Sequence, residues 1–98
     1  MAMIYKAKYL PIAYNDILRI SEALTDYPSK AKRLFREMDT KVKMVEKMPY
    51  SWPVYHAKPE YRYIILEDHL LFYKVDENER EIKVYRILYS KMDIPKHI

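Results

Sequence analysis

The apolar residues of this chain change their spacing once, and that change dictates the architecture. From Leu10 to Val45 they recur at helical intervals; from Tyr61 to Tyr89 they recur at every second residue, as in half-buried strands. Between the two lies Pro49-Tyr50-Ser51-Trp52-Pro53-Val54-Tyr55-His56-Ala57-Lys58-Pro59, a loop whose prolines forbid regular structure. A helical half followed by a strand half is the pattern of an α+β domain.

The elements follow from local signals. Met3 to Tyr9 reads as an opening strand, with Tyr5, Ala7 and Tyr9 on one face and Lys6 and Lys8 on the other. Pro11 opens a first helix to about Leu24, and Asp26-Tyr27-Pro28 breaks it. Ser29 is the expected N-cap of a second helix that ends at Pro49, with Ala31, Leu34, Phe35, Met38, Val42 and Val45 as its apolar stripe. So short a break predicts an antiparallel helical hairpin. Strands are expected over Tyr61–Leu66, Leu70–Val75 and Ile82–Tyr89. Glu67-Asp68-His69 forms the first turn and Asp76 to Arg80 the second, with Asn78 as the left-handed residue. The predicted order is β-α-α-β-β-β: an antiparallel sheet packed against an N-terminal helical hairpin, its first strand at or near an edge. The whole chain, 1–98, is expected to form a single domain.

Composition removes several function classes. There is no cysteine, so disulfide frameworks and cysteine zinc sites are excluded. There is no glycine, which argues against phosphate-cradling loops and dinucleotide fingerprints. The three histidines, His56, His69 and His97, lack the spaced partners of a hydrolytic metal site, and no cofactor or metal is expected. The N-terminus shows no apolar stretch of signal-peptide type and no run is long enough to span a membrane, so the expected location is the cytoplasm. The net charge of +4 favours an anionic partner.

Two groups of residues stand out. On the last strand, strict alternation puts Ile82, Val84, Arg86 and Leu88 on one face, and Arg62 shares a face with Ile64 and Leu66. An arginine in an apolar row needs an acidic partner, such as Glu60 or Asp93, or a bound anion. Adjacent strands would let the two arginines converge. Beyond the strand, Tyr89, Ser90 and Lys91 are candidates to meet His56 and Lys58 at one rim, either as a phosphate- or base-binding cluster or as an ordinary solvated edge. The second group is Lys32, Arg36, Lys43 and Lys47, a basic face of the second helix. That helix carries seven basic and three acidic residues, a surface for an acidic partner or simply a solvated face.

The pattern resembles the RelE/ParE superfamily, the toxins of type II toxin–antitoxin modules. The resemblance runs from Ile4 to Asp93. It rests on the first helix, Pro11-Ile12-Ala13-Tyr14-Asn15-Asp16-Ile17-Leu18, and on Tyr61-Arg62-Tyr63-Ile64-Ile65, Leu70-Leu71-Phe72-Tyr73-Lys74-Val75-Asp76 and Arg86-Ile87-Leu88-Tyr89-Ser90-Lys91-Met92-Asp93. It implies a growth-arresting toxin bound by an acidic, partly disordered cognate antitoxin. Operator DNA would be contacted only through that complex, with Lys32, Arg36, Lys43 and Lys47 as antitoxin-binding residues. RelE-like members cut messenger RNA on the ribosome without a metal. In that reading Arg62, Tyr89 and Lys91 are catalytic, and His56, Lys58 and Arg86 bind the RNA or target. ParE-like members inhibit DNA gyrase without chemistry. The third strand, His69-Leu70-Leu71-Phe72-Tyr73, lacks an arginine that several ribonucleases carry, and the ending Arg86-Ile87-Leu88-Tyr89 is ParE-like. Gyrase inhibition is therefore the first expectation, the mRNA endoribonuclease the alternative, and an inactive toxin that only binds antitoxin and regulates its operon the third.

Overall fold

The structure, a computed structural model, describes residues 4–98. Its elements are β1 (Lys6–Tyr9), α1 (Pro11–Ala23), α2 (Pro28–Lys47), β2 (Arg62–Leu66), β3 (His69–Asp76), β4 (Glu81–Tyr89) and a 3-10 turn at Ile94–Lys96. The expected α+β class and element order are observed; Met3, expected to open the first strand, lies outside the described residues. Among the described residues no helix is long and apolar enough to cross a membrane.

The sheet order is β1-β4-β3-β2. Short loops force β2, β3 and β4 into antiparallel pairing. β1 forms one edge, as expected, but it runs parallel to β4, in register from Lys6↔Glu81 to Tyr9↔Val84, so the sheet is mixed rather than wholly antiparallel. Two helices, a long loop and two strands separate β1 from its partner, and such a connection leaves direction free where a hairpin would not. α1 starts where Leu10 N–H donates to Val84 O and runs along β4. α2 then runs back. It begins at the β2–β3 hairpin, where Arg33 meets Glu67 at 2.5 Å, and ends against β1, where Tyr5 N–H donates to Glu46 O. Glu46 also accepts Ala7 N–H on Oε2 at 2.7 Å, so the end of α2 covers the outer edge of β1.

Three local readings are corrected. Ser29 does not cap α2: Tyr27 holds the N-cap position and Pro28 is the first helical residue, where its missing N–H costs nothing. The proline that looked like a breaker is a starter. The left-handed residues are Glu67 (φ 52°) and Arg80 (φ 54°), not Asn78. A chain without glycine places ordinary side chains there, a conformation that costs on the order of 1–3 kcal/mol for a residue with a Cβ. The alternation of β4 also breaks. Tyr73 faces Val84 while the adjacent Phe72 faces Arg86, so Tyr85 is an extra residue in a bulge. Beyond it the faces exchange.

The bulge serves two cores. Ile82, Val84 and Ile87 join Leu34, Val42, Val45, Ile64, Leu66, Leu71 and Tyr73 beneath the helices. Leu88 joins Phe72 and Ile94 on the opposite face, covered by Tyr55, Tyr61 and Tyr63 and by the tail. The polar tail after Ser90 therefore folds back, with Ile94 buried. Tyr55 packs edge-on against Phe72, with ring centroids 5.0 Å apart, and fixes the proline loop over this second core.

Candidate functional site

β1 ends at Tyr9, opposite Val84, but β4 continues to Tyr89. The last stretch of β4 therefore has a free edge, and α1 lies beside it. Asp16 occupies the place a strand would take. Its carboxylate is buried and accepts four hydrogen bonds: Ile87 N–H at 3.0 Å, Arg86 Nε at 2.8 Å, Arg86 Nη2 at 3.0 Å and Arg19 Nη2 at 2.9 Å. The bidentate pair with Arg86 is the strongest geometry available to a guanidinium and a carboxylate. Arg86 thus pairs with Asp16, not with Glu60 or Asp93, and its remaining amino group donates to His97 O in the tail. The sequence did contain a signal for Asp16, because it sits one turn after Ala13 and one turn before Ile20 on the buried stripe of α1.

Next to Asp16 a cleft of about 340 Å³ opens between α1 and the end of β4. Ile20, Ala23 and Leu24 form one wall, and Ile87, Leu88 and Met92 the other. His69 and Tyr89 close the end, their ring centroids 5.8 Å apart, with Arg19 and Lys30 in the lining. Burial lowers the His69 pKa below its ordinary value. Lys30 pairs with Asp68 at 3.3 Å.

Arg62 is elsewhere. It lies at the start of β2 and donates to Trp52 O at 2.6 Å and to Tyr50 O at 3.4 Å, with its guanidinium 5.2 Å from the Tyr50 ring centre. Among the described residues it has no carboxylate partner. β3 lies between β2 and β4, so the arginines are not on adjacent strands. Arg62 faces Tyr73 and Tyr89 faces His69, four positions along β3 and two strands apart, roughly 15–20 Å. Tyr89 and Lys91 are exposed at the hairpin end. Lys58 donates to the backbone oxygen of Ile98 at 2.5 Å, and His56 is exposed in the same loop without a hydrogen bond to Tyr89 or Lys91. Among the described residues no hydrogen bond joins His56 or Lys58 to Tyr89 or Lys91, the four residues expected at one rim. Among the described residues no three histidine or acidic side chains come together to hold a metal ion.

The opposite end of the sheet holds a second polar cluster. Glu77 accepts the hydroxyls of Tyr5 (2.7 Å) and Tyr50, and Arg80 donates to the Tyr5 hydroxyl at 2.9 Å. The Tyr50 pKa is raised to about 12, first by its hydrogen bond to Glu77. This cluster holds Tyr50, and with it the carbonyls that bind Arg62.

On α2, Lys32, Arg36, Lys43 and Lys47 are all exposed. Their spacing of four, seven and four puts them on one stripe, opposite the buried Leu34, Val42 and Val45. Lys43 pairs with Asp39 at 3.1 Å across one turn.

Comparison with known proteins places this geometry. The sequence model of a family described as the ParE toxin of type II toxin-antitoxin system, parDE, matches residues 7–94. The fold is similar to a chain of the chromosomal ParDE toxin–antitoxin system from P. aeruginosa, with a TM-score of 0.74 at 19% identity over 90% of this chain and 98% of that one. It is also similar to a chain of the toxin–antitoxin complex RelBE2 from Mycobacterium tuberculosis, with a TM-score of 0.57 at 13% identity over 89% and 99%. No curated protein matches in sequence.

Proposed function

The chain belongs to the ParE toxin family of type II toxin–antitoxin systems, and on that premise we propose that it arrests growth by binding DNA gyrase, with a cognate acidic antitoxin holding it inactive. The observation that supports binding rather than cleavage is the placement of Arg62. A metal-free ribonuclease needs a base and several cations around one phosphate. Arg62 is instead engaged with the carbonyls of Trp52 and Tyr50, two strands away from Tyr89 and Lys91. A toxin that works by binding needs no such convergence.

The antitoxin meets the basic stripe Lys32, Arg36, Lys43 and Lys47, which is solvated and free of core duty. Contact with operator DNA runs through the antitoxin complex. Gyrase and the antitoxin both place the action in the cytoplasm.

One observation favours ribosome-dependent RNA cleavage as a second reading. Tyr89 stands against His69, whose pKa burial lowers, in a cleft lined by Arg19 and Lys30, which provides a base and cations without Arg62. Expression without antitoxin, followed by mapping of message 5′ ends, separates the two. Growth arrest with intact messages is the expected result. Cuts within translated codons that vanish in Tyr89→Phe would establish the ribonuclease, and the absence of any growth arrest would reject both.

A further inference from the structure

The face of the sheet turned away from the helices is divided in two. The tail and the proline loop cover one half, over Phe72 and Leu88. The other half, toward the β3–β4 hairpin, carries lysines. Val75 and Ile82 point into the core beneath the helices, so the adjacent Lys74 and Lys83 point outward. Ala7 packs on the same core, which turns Lys6 and Lys8 outward on β1. Pairing aligns three of the four. Lys8 lies opposite Lys83, and Lys83 lies opposite Lys74, in one row across β1, β4 and β3. Two strand spacings make the row about 10 Å wide.

Like charges directly opposite one another destabilise a sheet, so this row needs compensation. Lys83 has it from Asp76 at 2.8 Å. Lys74 stands over the rings of Tyr61, at 4.6 Å, and Tyr85, at 5.0 Å, which hold the ammonium but leave its charge in place. Lys8 is exposed, and among the described residues no carboxylate pairs with Lys8 or Lys74. The next row toward the hairpin is Lys6, Glu81 and Asp76, so four lysines stand against two carboxylates on this half of the face.

We propose that the row Lys8, Lys83 and Lys74 is a binding surface for the phosphate backbone of duplex DNA, contacted without reading sequence. Phosphates of one strand repeat about every 3.4 Å along the duplex axis, so the row spans about three of them. A single strand fits less well, because surfaces that bind one offer free aromatic faces to unstacked bases. Here Tyr61 and Tyr85 pack edge to face, with ring centroids 5.3 Å apart, and Lys74 covers both. An acidic protein also fits less well. Lysine is depleted from protein interfaces, whose centres need apolar anchors, and no exposed large hydrophobic side chain stands in this row. The surface lies toward the opposite end of β3 from the Tyr89 pairing. The inference goes beyond the gyrase reading, and it is separate from operator contact, which runs through the antitoxin complex.

The test is fluorescence anisotropy of a labelled duplex with the purified full chain, without gyrase or antitoxin, over a range of salt. Each phosphate contact contributes about −0.9 to the slope of log affinity against log salt, so three contacts predict that a fourfold rise in salt weakens binding about 40-fold. Lys8→Gln alone, at an exposed position, should lower that loss to about tenfold, and Lys8→Gln with Lys74→Gln to about threefold, with denaturant unfolding showing both variants folded. A second duplex of unrelated sequence is expected to bind equally. Tighter binding of a single strand than of the duplex overturns the inference. So does loss of binding in Lys32→Gln with Arg36→Gln on α2 while Lys8→Gln with Lys74→Gln binds like the parent. Displacement of the duplex by polyglutamate as effectively as by unlabelled duplex at equal charge assigns the row to an acidic protein and also overturns it. No binding at low salt overturns the inference and leaves the gyrase reading standing, since supercoiling tests that separately.

Discussion

Asp16 and Arg86, 70 residues apart, form a bidentate ion pair at 2.8 and 3.0 Å on the one stretch of β4 that β1 does not cover. The pair fastens α1 to the sheet, and the second carboxylate contact, from Ile87 N–H, replaces a missing ladder bond. Only 2% of the Asp16 side chain and 12% of the Arg86 side chain are exposed.

Breaking this pair from one side is expected to be severe. Asp16→Ala leaves the nearly buried Arg86 guanidinium without its carboxylate, with only the His97 carbonyl as acceptor, and the buried Ile87 amide with none, at a cost of about 3–5 kcal/mol. Denaturant unfolding checks it. Asp16→Leu with Arg86→Leu together should cost clearly less than the sum of the single changes, because the double variant buries no orphaned charge.

Most of the fold was legible because its signals are local. The alternation from Tyr5 to Tyr9, the change of apolar spacing, Pro11 at a helix start and the two short turns define the six main elements without any tertiary knowledge. What was not legible depended on pairing. The buried stripe of α1 includes Asp16, but what Asp16 holds there depends on β1 stopping at Tyr9, which leaves Ile87 and Arg86 in need of an acceptor. The Tyr85 bulge moved Ile87 into the helix-side core and Leu88 out of it, and strict alternation has no means of showing an inserted residue. Arg62 found backbone carbonyls in the proline loop, whose path the sequence leaves open.

The cover on the outer edge of β1 gives a second expectation. Glu46 holds Ala7 N–H through a charged acceptor at 2.7 Å. Glu46→Ala should lose roughly 1.5–3 kcal/mol, the range for hydrogen bonds to a charged group. It should also bare a strand edge, so light scattering is expected to show association that rises with concentration.

Alkaline pH should weaken the fold through Tyr9 and Tyr73. Burial raises the Tyr9 pKa from 10.0 to about 12 and raises that of Tyr73 as well. A phenol whose folded pKa is raised favours the folded state fully below pH 10.0; that stability is lost as pH climbs from 10.0 toward the folded pKa near 12. Unfolding midpoints measured across this window should be flat below it and fall within it. Tyr9→Phe should make the decline shallower.

The hydroxyl of Tyr73 has a separate role. It donates to Pro49 O at 2.7 Å in a buried site and ties the end of α2 to the middle of the sheet. Tyr73→Phe should cost about 1–3 kcal/mol, since the carbonyl is left without its donor. Thermal unfolding followed by circular dichroism measures it.

The basic stripe should act through charge rather than shape. Lys32→Glu with Arg36→Glu is expected to leave stability within about 0.5 kcal/mol, as for exposed positions. The same change should weaken antitoxin binding, mostly by slowing association, and flatten its salt dependence. Surface-based kinetics at two ionic strengths reads both.

A toxin that binds its target without chemistry is tested most directly by supercoiling of relaxed plasmid by purified gyrase. Adding the purified chain should stop supercoiling, Tyr89→Phe should inhibit as well as the parent chain, and prior mixing with antitoxin should restore activity. Supercoiling that proceeds unchanged at a saturating amount of folded chain would contradict the account.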